Sequence, residues 1–158
     1  MEHYSFETPI GLLTVSGDSQ GVQSVVFSEA QGIISEDTVP VTLKDAVVQL
    51  QEYFSGQRTA FNLKLNPEGT AFQKKVWQEL QSISFGKTCS YQEIANKLGD
   101  PKVIRAAASA NGKNPIAIII PCHRVIGSDG SLTGYAGGLH RKKWLLELES
   151  PVTQTSLF

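Results

Sequence analysis

Cysteine is scarce in this chain: 158 residues contain two, Cys89 and Cys122. That is too few for a disulfide scaffold, and in a reducing compartment both read as free thiols. No CxxC and no HExxH occurs, so no structural zinc site is expected. Long apolar runs are missing too, and none approaches the ~20 residues of a membrane span. The opening "MEHYSFETPIG" lacks the basic and apolar regions of a signal peptide. These absences point to a cytoplasmic protein without membrane contact. What is present is a core, since 41% of the residues are hydrophobic. The length suits one domain or two small ones. A net charge of −1 argues for no particular partner, but its distribution does. Residues 1–69 carry three Lys or Arg against nine acids, and residues 70–158 carry eleven against six. The basic second part suggests an acidic partner.

The beginning reads as a small α/β unit. "HYSFETP" and "LLTVSG" look like strands joined around Gly11, and "VQSVVF" looks like a third after the turn "GDSQG". Leu43, Ala46, Val47, Leu50 and Phe54 recur at helical spacing, with Gly56 at the helix end. "FNLKL" at 61–65 alternates like a fourth strand, and "NPEGT" reads as a linker. The second part is mostly helical. Thr70 is a candidate cap for a helix with Phe72, Val76, Leu80 and Ile83 on one stripe. Ser90 with Glu93 is a capping-box signature, Gly99-Asp100-Pro101 breaks that helix, and "KVIRAAASANG" forms the next. Two short helices joined in this way make a helix-turn-helix candidate. "SDGSLTGYAGG" is a Gly-rich loop or small wing. In the last helix Trp144, Leu145 and Leu148 supply an apolar face, and Arg141, Lys142 and Lys143 a basic one. The tail "SPVTQTSLF" shows no periodicity.

The fold expected is therefore an α/β N-terminal domain, a small antiparallel sheet plus helix, over residues 1–66. A mostly α, helix-turn-helix or winged-helix-like domain over residues 67–158 follows it.

Chemistry concentrates in "IAIIIPCHRVIG", residues 116–127, where an apolar run that reads as a buried strand ends in Pro-Cys-His-Arg. A cysteine attacks through its thiolate and needs a base or positive surroundings. Neighbours on an extended segment point to opposite faces, so Cys122 and His123 cooperate only if the chain turns here or a water bridges them. Glu149, Glu147 and Asp129 are the local carboxylates that could orient the imidazole. Cys89 reads as a small buried residue, and His3 and His140 as surface residues without partners.

"IPCHRV" at 120–125 resembles the active-site motif of the O-6-alkylguanine-DNA alkyltransferases, also called methylated-DNA–protein-cysteine methyltransferases. "SYQEIA", "RAAASANGKNPI", "GYAGG" and "KKWLLELE" follow that family's order and spacing. The resemblance is strong over residues 70–150 and looser before them. It implies one-shot transfer of an alkyl group from guanine O6, or thymine O4, to Cys122. His123 would deprotonate the thiol through a water, and Glu149 would orient the histidine. Asn114 would brace the turn, and Tyr91 would donate towards the guanine ring and contact the adjoining phosphate. Arg105 would replace the extruded base, with Ala106 and Ala107 against the minor groove. Val125, Tyr135, Ala136, Gly137 and Gly138 would line the guanine pocket.

The resemblance further implies a monomer acting on double-stranded DNA that contains alkylated guanine, approached from the minor groove, without a cofactor. Base extrusion suits a target atom inside the duplex, and small side chains suit a narrow groove. The zinc site of some members is not carried over, because no cysteine precedes Cys89. Ala136 and Ala117 stand where some members have serine and proline. The readings weighed against this one are a non-catalytic binder of alkylated DNA, a DNA-binding regulator and a thiol hydrolase.

Overall fold

The computed structural model describes residues 1–28, 35 and 38–150. The chain divides into two compact units, Met1–Glu68 and Gly69–Phe158.

In the first unit, β1 (Glu2–Thr8), β2 (Gly11–Asp18) and β3 (Gly21–Ser28) form an antiparallel sheet in the order β1-β2-β3. Tyr4 pairs with Val15 and Phe6 with Leu13. The central strand is buried on both faces, so Leu12 and Leu13, adjacent and oppositely directed, are both inside. A 3-10 turn at Val41–Leu43 leads into α1 (Lys44–Phe54), whose inward residues are Ala46, Val47, Leu50 and Tyr53. "FNLKL" does not form the expected fourth strand. It makes one isolated parallel bridge, Val22 to Leu65. The Gln49 side chain on α1 bonds both the N–H of Asn62 (2.9 Å) and its carbonyl (3.1 Å), taking the groups a neighbouring strand would need. Gly21, at φ 132°, lets this segment approach, since a Cβ there would lie 2.8 Å from the Lys64 carbonyl oxygen. His3 is exposed as expected, but its Nδ1 lies 2.7 Å from Ser16 Oγ, so it is not without a partner.

In the second unit, α2 (Ala71–Leu80) starts with a capping box between Thr70 and Gln73. Its Trp77 is buried and donates to the Ala110 carbonyl at 2.8 Å. Next come β4 (Cys89–Ser90), α3 (Tyr91–Lys97) with the Ser90–Glu93 capping box, a 3-10 turn at Pro101–Val103, and α4 (Ile104–Gly112). Gly99 turns the chain at φ 93°, and Asp100 caps the next turn through Lys102 N–H at 2.9 Å. A 3-10 turn at Cys122–Arg124 is followed by β5 (Val125–Ile126), which pairs parallel with β4 and brings Cys89 opposite Val125. The loop to α5 (Leu139–Glu149) carries no strand of its own among the described residues, so it is a loop and not a two-stranded wing.

Three expectations in this unit need correction. Residues 116–120 are not a strand: Ile116 makes a single bridge and the chain turns over 117–120. Arg141 and Lys142 are buried, at 5% and 0% exposure, and do not form a basic face. Ala107 is 1% exposed, which leaves Arg105, Ala106 and Ser109 as the solvent-facing residues at that end of α4. A helix that packs one face on its neighbours cannot also present that face to a groove. The tail "SPVTQTSLF" lies outside the described residues after Ser150. Among the described residues no helix is long and apolar enough to cross a membrane.

Candidate active site

Asn114 shapes the approach to Cys122. Its Oδ1 accepts from the Ile116 N–H at 2.9 Å, and its Nδ2 donates to the carbonyls of Ile120 (2.8 Å) and Ile116 (3.3 Å). The side chain thus binds backbone groups that a strand would have paired. Ile118 sits inside the turn at φ 72°, a left-handed conformation that costs a β-branched residue about 1–3 kcal/mol. Burial of Ile116, Ile118 and Ile120, each at most 1% exposed, helps to hold it there.

The chain then turns at Cys122–Arg124, so the geometry of an extended segment does not apply. Cys122, His123 and Arg124 are all buried. His123 Nε2 lies 2.7 Å from Glu149 Oε2. Arg124 clamps the same carboxylate, Nε to Oε1 at 2.8 Å and Nη2 to Oε2 at 3.1 Å, and spends Nη1 on the Ile83 carbonyl at 2.6 Å. Of the three candidate carboxylates only Glu149 meets the histidine. Glu147 is exposed and 4.0 Å from Lys143, and Asp129 is exposed in its own turn.

Burial alone pushes the Glu149 carboxyl up, but the hydrogen bond and charge of His123, then those of Arg124, outweigh it and hold the group at about 2. Arg124 is a permanent cation, so the carboxylate is ionised. Burial lowers the His123 pKa, against the raising effect of Glu149. We take the imidazole as neutral near pH 7. An ionised carboxylate can only accept, so the ring proton is on Nε2 and Nδ1 carries the lone pair. Nδ1 is buried and has no hydrogen-bond partner among the described residues. Burial pushes the Cys122 thiol up to about 11, against the hydrogen bond of Asn114 and the charge of Lys142. The resting pair is therefore a thiol beside a neutral base.

Arg124 and Lys142 are the residues that sequence reasoning missed. Lys142 Nζ donates to the carbonyls of Val125 (2.6 Å) and Thr133 (2.7 Å) and lies 5.9 Å from the centroid of the Tyr91 ring. Arg141 donates to the Gly137 carbonyl at 2.9 Å. The available signal was the irregular loop beside them, whose carbonyls lack strand partners and need donors from elsewhere.

An open cavity of about 520 Å³ is lined by Tyr91, Ile104, Arg105, Ala108, Gly112, Thr133 and Gly134. It joins the head of α4 to the loop. None of the residues expected around the guanine, Val125, Tyr135, Ala136, Gly137 and Gly138, lines it: Val125 is fully buried, Ala136 is exposed, and Gly137 and Gly138 are half-buried. Tyr135 has a buried hydroxyl without a hydrogen-bond partner among the described residues. Burial first, and the nearby Cys122 second, push its pKa well up. Among the described residues no group of three or more His, Cys, Asp or Glu could hold a metal ion.

Two family profiles together match most of the chain. The DNA binding domain of 6-O-methylguanine DNA methyltransferase matches residues 71–151, and the ribonuclease-like domain of the same proteins matches residues 1–67. The chain belongs to the 6-O-methylguanine DNA methyltransferase family. A methylated-DNA–protein-cysteine methyltransferase of Methanosarcina acetivorans is 47% identical over 153 residues, which cover 94% of this chain and 98% of the relative. One from Mycolicibacterium paratuberculosis is 43% identical over 99% of this chain and 97% of its own length. A crystal structure of Mycobacterium tuberculosis OGT in complex with DNA superposes with a TM-score of 0.85, at 43% identity, covering 98% of each chain. Family membership thus rests on both units of the chain, while the thiol, base and carboxylate lie in the second.

Proposed function

We propose that this methyltransferase repairs DNA by moving an alkyl group, methyl above all, from O6 of guanine to Sγ of Cys122, once per molecule. Thymine O4 presents the same kind of alkyl ether and is a second substrate of the reading. The observation that carries it is the buried contact of His123 with Glu149, 2.7 Å long, directly after the buried Cys122. A neutral thiol is a poor nucleophile, and the neighbouring imidazole has a free lone pair on Nδ1. The thiol proton passes to Nδ1 through a water, and the Glu149 carboxylate stabilises the imidazolium that forms. The sulfur attacks the alkyl carbon, the S–C bond forms as the C–O6 bond breaks, and the electron pair leaves with guanine. Tyr91 donates to the guanine ring as this charge develops. The product is a thioether with no easy route back to thiol. The chemistry calls for no cofactor.

Arg105 and Ala106, exposed at the start of α4, fit a role against DNA from the minor-groove side, with Arg105 filling the space of an extruded base. The protein acts as a monomer where DNA is. Intact mass after incubation with a duplex containing O-6-methylguanine tests the reading. One methyl, about 14 Da, should be found on Cys122. Cys122→Ser should bind the duplex and accept nothing. Methyl on Cys89, or many turnovers per molecule as a thiol hydrolase would give, would overturn it.

A further inference from the structure

Tyr91 reaches the cavity with its hydroxyl already engaged. It donates to the Thr133 carbonyl at 3.1 Å and accepts from Thr133 Oγ1 at 3.3 Å. One loop residue thus holds the phenol through both its proton and its oxygen. The same carbonyl accepts from Lys142 Nζ at 2.7 Å, and that ammonium is pinned from the other side by the Val125 carbonyl at 2.6 Å. Tyr91 and Thr133 line the same 520 Å³ cavity, so a base entering it meets this arrangement.

The two bonds have different fates when a base arrives. Tyr91 has one proton, so donating to the base means withdrawing it from the Thr133 carbonyl. That withdrawal leaves no orphaned acceptor, because Lys142 keeps the carbonyl satisfied, and an unsatisfied acceptor is what makes such an exchange costly. The bond from Thr133 Oγ1 into the Tyr91 oxygen need not break. A donor into the phenol oxygen polarises the hydroxyl and strengthens the bond it gives onward. It also keeps the ring in place while its partner changes.

We infer that Thr133 is a positioning residue for Tyr91: its side-chain hydroxyl holds and polarises the phenol, and its carbonyl, backed by Lys142, releases the phenol proton to the base. The inference rests on the proposed transfer, in which Tyr91 donates to the leaving guanine. It goes beyond that reading by assigning a task to a loop hydroxyl that touches neither the alkyl group nor the thiol.

The test uses transfer rates at saturating methylated duplex, together with DNA affinity and a melting curve. Thr133→Val keeps the shape and the carbonyl but loses the hydroxyl, and the site is exposed, so the fold should persist. The rate should fall by roughly 2- to 10-fold, the worth of one hydrogen bond. Affinity should not change, and Thr133→Ser should restore the rate. In a Tyr91→Phe background, Thr133→Val should have no further effect. A wild-type rate for Thr133→Val, or an equal loss with and without the Tyr91 hydroxyl, would overturn the inference. If Tyr91→Phe transfers as fast as wild type, the role of Tyr91 fails and the inference with it. Absence of methyl on Cys122 in the wild type would overturn the underlying reading instead.

Discussion

The two units bury different things. Among the described residues of the first, Ser16 is the sole buried polar side chain. The second buries Asn111, Asn114, His123, Arg124, Arg141, Lys142 and Glu149. A core of apolar side chains is the cheaper construction, because taking a charge out of water costs several kcal/mol unless it is paired. The second unit meets that cost around one short turn, with Arg124 and His123 on Glu149 and with lysine and arginine donors on loop carbonyls. The difference shows where the sequence serves packing and where it serves chemistry.

The sharpest way to break the comparison is to remove one carboxylate charge from each unit. Glu149→Gln leaves Arg124 without its anion in a buried site, which should cost about 3–5 kcal/mol of stability. It also removes the partner that fixes the imidazole, so transfer should slow by ~100- to 10,000-fold. Glu52 in the first unit pairs with Arg58 at 3.1 Å, but the two side chains are 36% and 28% exposed. Glu52→Gln should cost about 0–1 kcal/mol and leave transfer alone. The Glu149 contribution has a defined pH window. Its folded-state value of about 2 lies below the ordinary 4.5, so the stabilisation is present above pH 4.5 and lost as pH falls towards 2. Denaturant titrations at pH 7 and near pH 3, with rates at pH 7, check all of this. Equal stability losses for the two variants, or an unchanged rate in Glu149→Gln, would dissolve the contrast.

The same division decided what could be read from sequence. Strands β1 to β3 follow strand-forming runs bounded by turn residues, helix α1 follows helical spacing, and the caps Thr70 and Ser90 lie where their motifs put them. These are local signals, set by residues a few positions apart. "FNLKL" failed because the Gln49 side chain, distant in sequence, takes the backbone groups of Asn62 and leaves the segment one bridge to β3 at Leu65. The run 116–120 failed because apolar burial alone does not distinguish a strand from a turn held by one asparagine. Lys142 read as surface because lysine usually is, and Ala107 was placed against the groove by the family resemblance, which does not say which face of α4 packs inward. Cys122, His123 and Glu149 were named together, but through the family resemblance. Composition and spacing left Glu147 and Asp129 equally open.

A smaller effect separates Arg105 from the buried charges around it. Arg105 is exposed and lines the cavity, so its loss should not destabilise the protein. Extruding a base costs a few kcal/mol, less from a single strand, and a free base needs no extrusion. Arg105→Ala should therefore impair transfer from duplex most, from single-stranded DNA less, and from a free modified guanine hardly at all. A plain phosphate contact would weaken duplex affinity broadly and lower its salt dependence. Equal losses on the three substrates would remove Arg105 from the flipping role.

The smallest effect sharpens the comparison at the thiol itself. Cys122 titrates at about 11 in the folded protein against an ordinary 9.0, because burial disfavours the thiolate. A raised folded-state value means that the folded protein holds its proton more tightly than the unfolded chain does. The corresponding stabilisation is complete below pH 9 and is lost as pH rises towards 11. Lys142 and Tyr135 also respond in alkali, so the absolute curve mixes several groups. Cys122→Ser removes the thiol together with its charge coupling to Lys142 and Tyr135, since serine does not titrate there. Wild-type stability should decline more steeply than that of Cys122→Ser between pH 9 and 11, by on the order of 1 kcal/mol per pH unit. The alkylated protein should follow the serine variant, because a thioether has no proton to lose. Cys89, the other buried thiol, is raised by burial and then by Glu93, and it is present in all three proteins, so it cancels. Denaturant titrations across this range decide the matter. Parallel curves for wild type and Cys122→Ser would mean that burial does not hold the proton on the thiol, and the resting state assigned to Cys122 would fail.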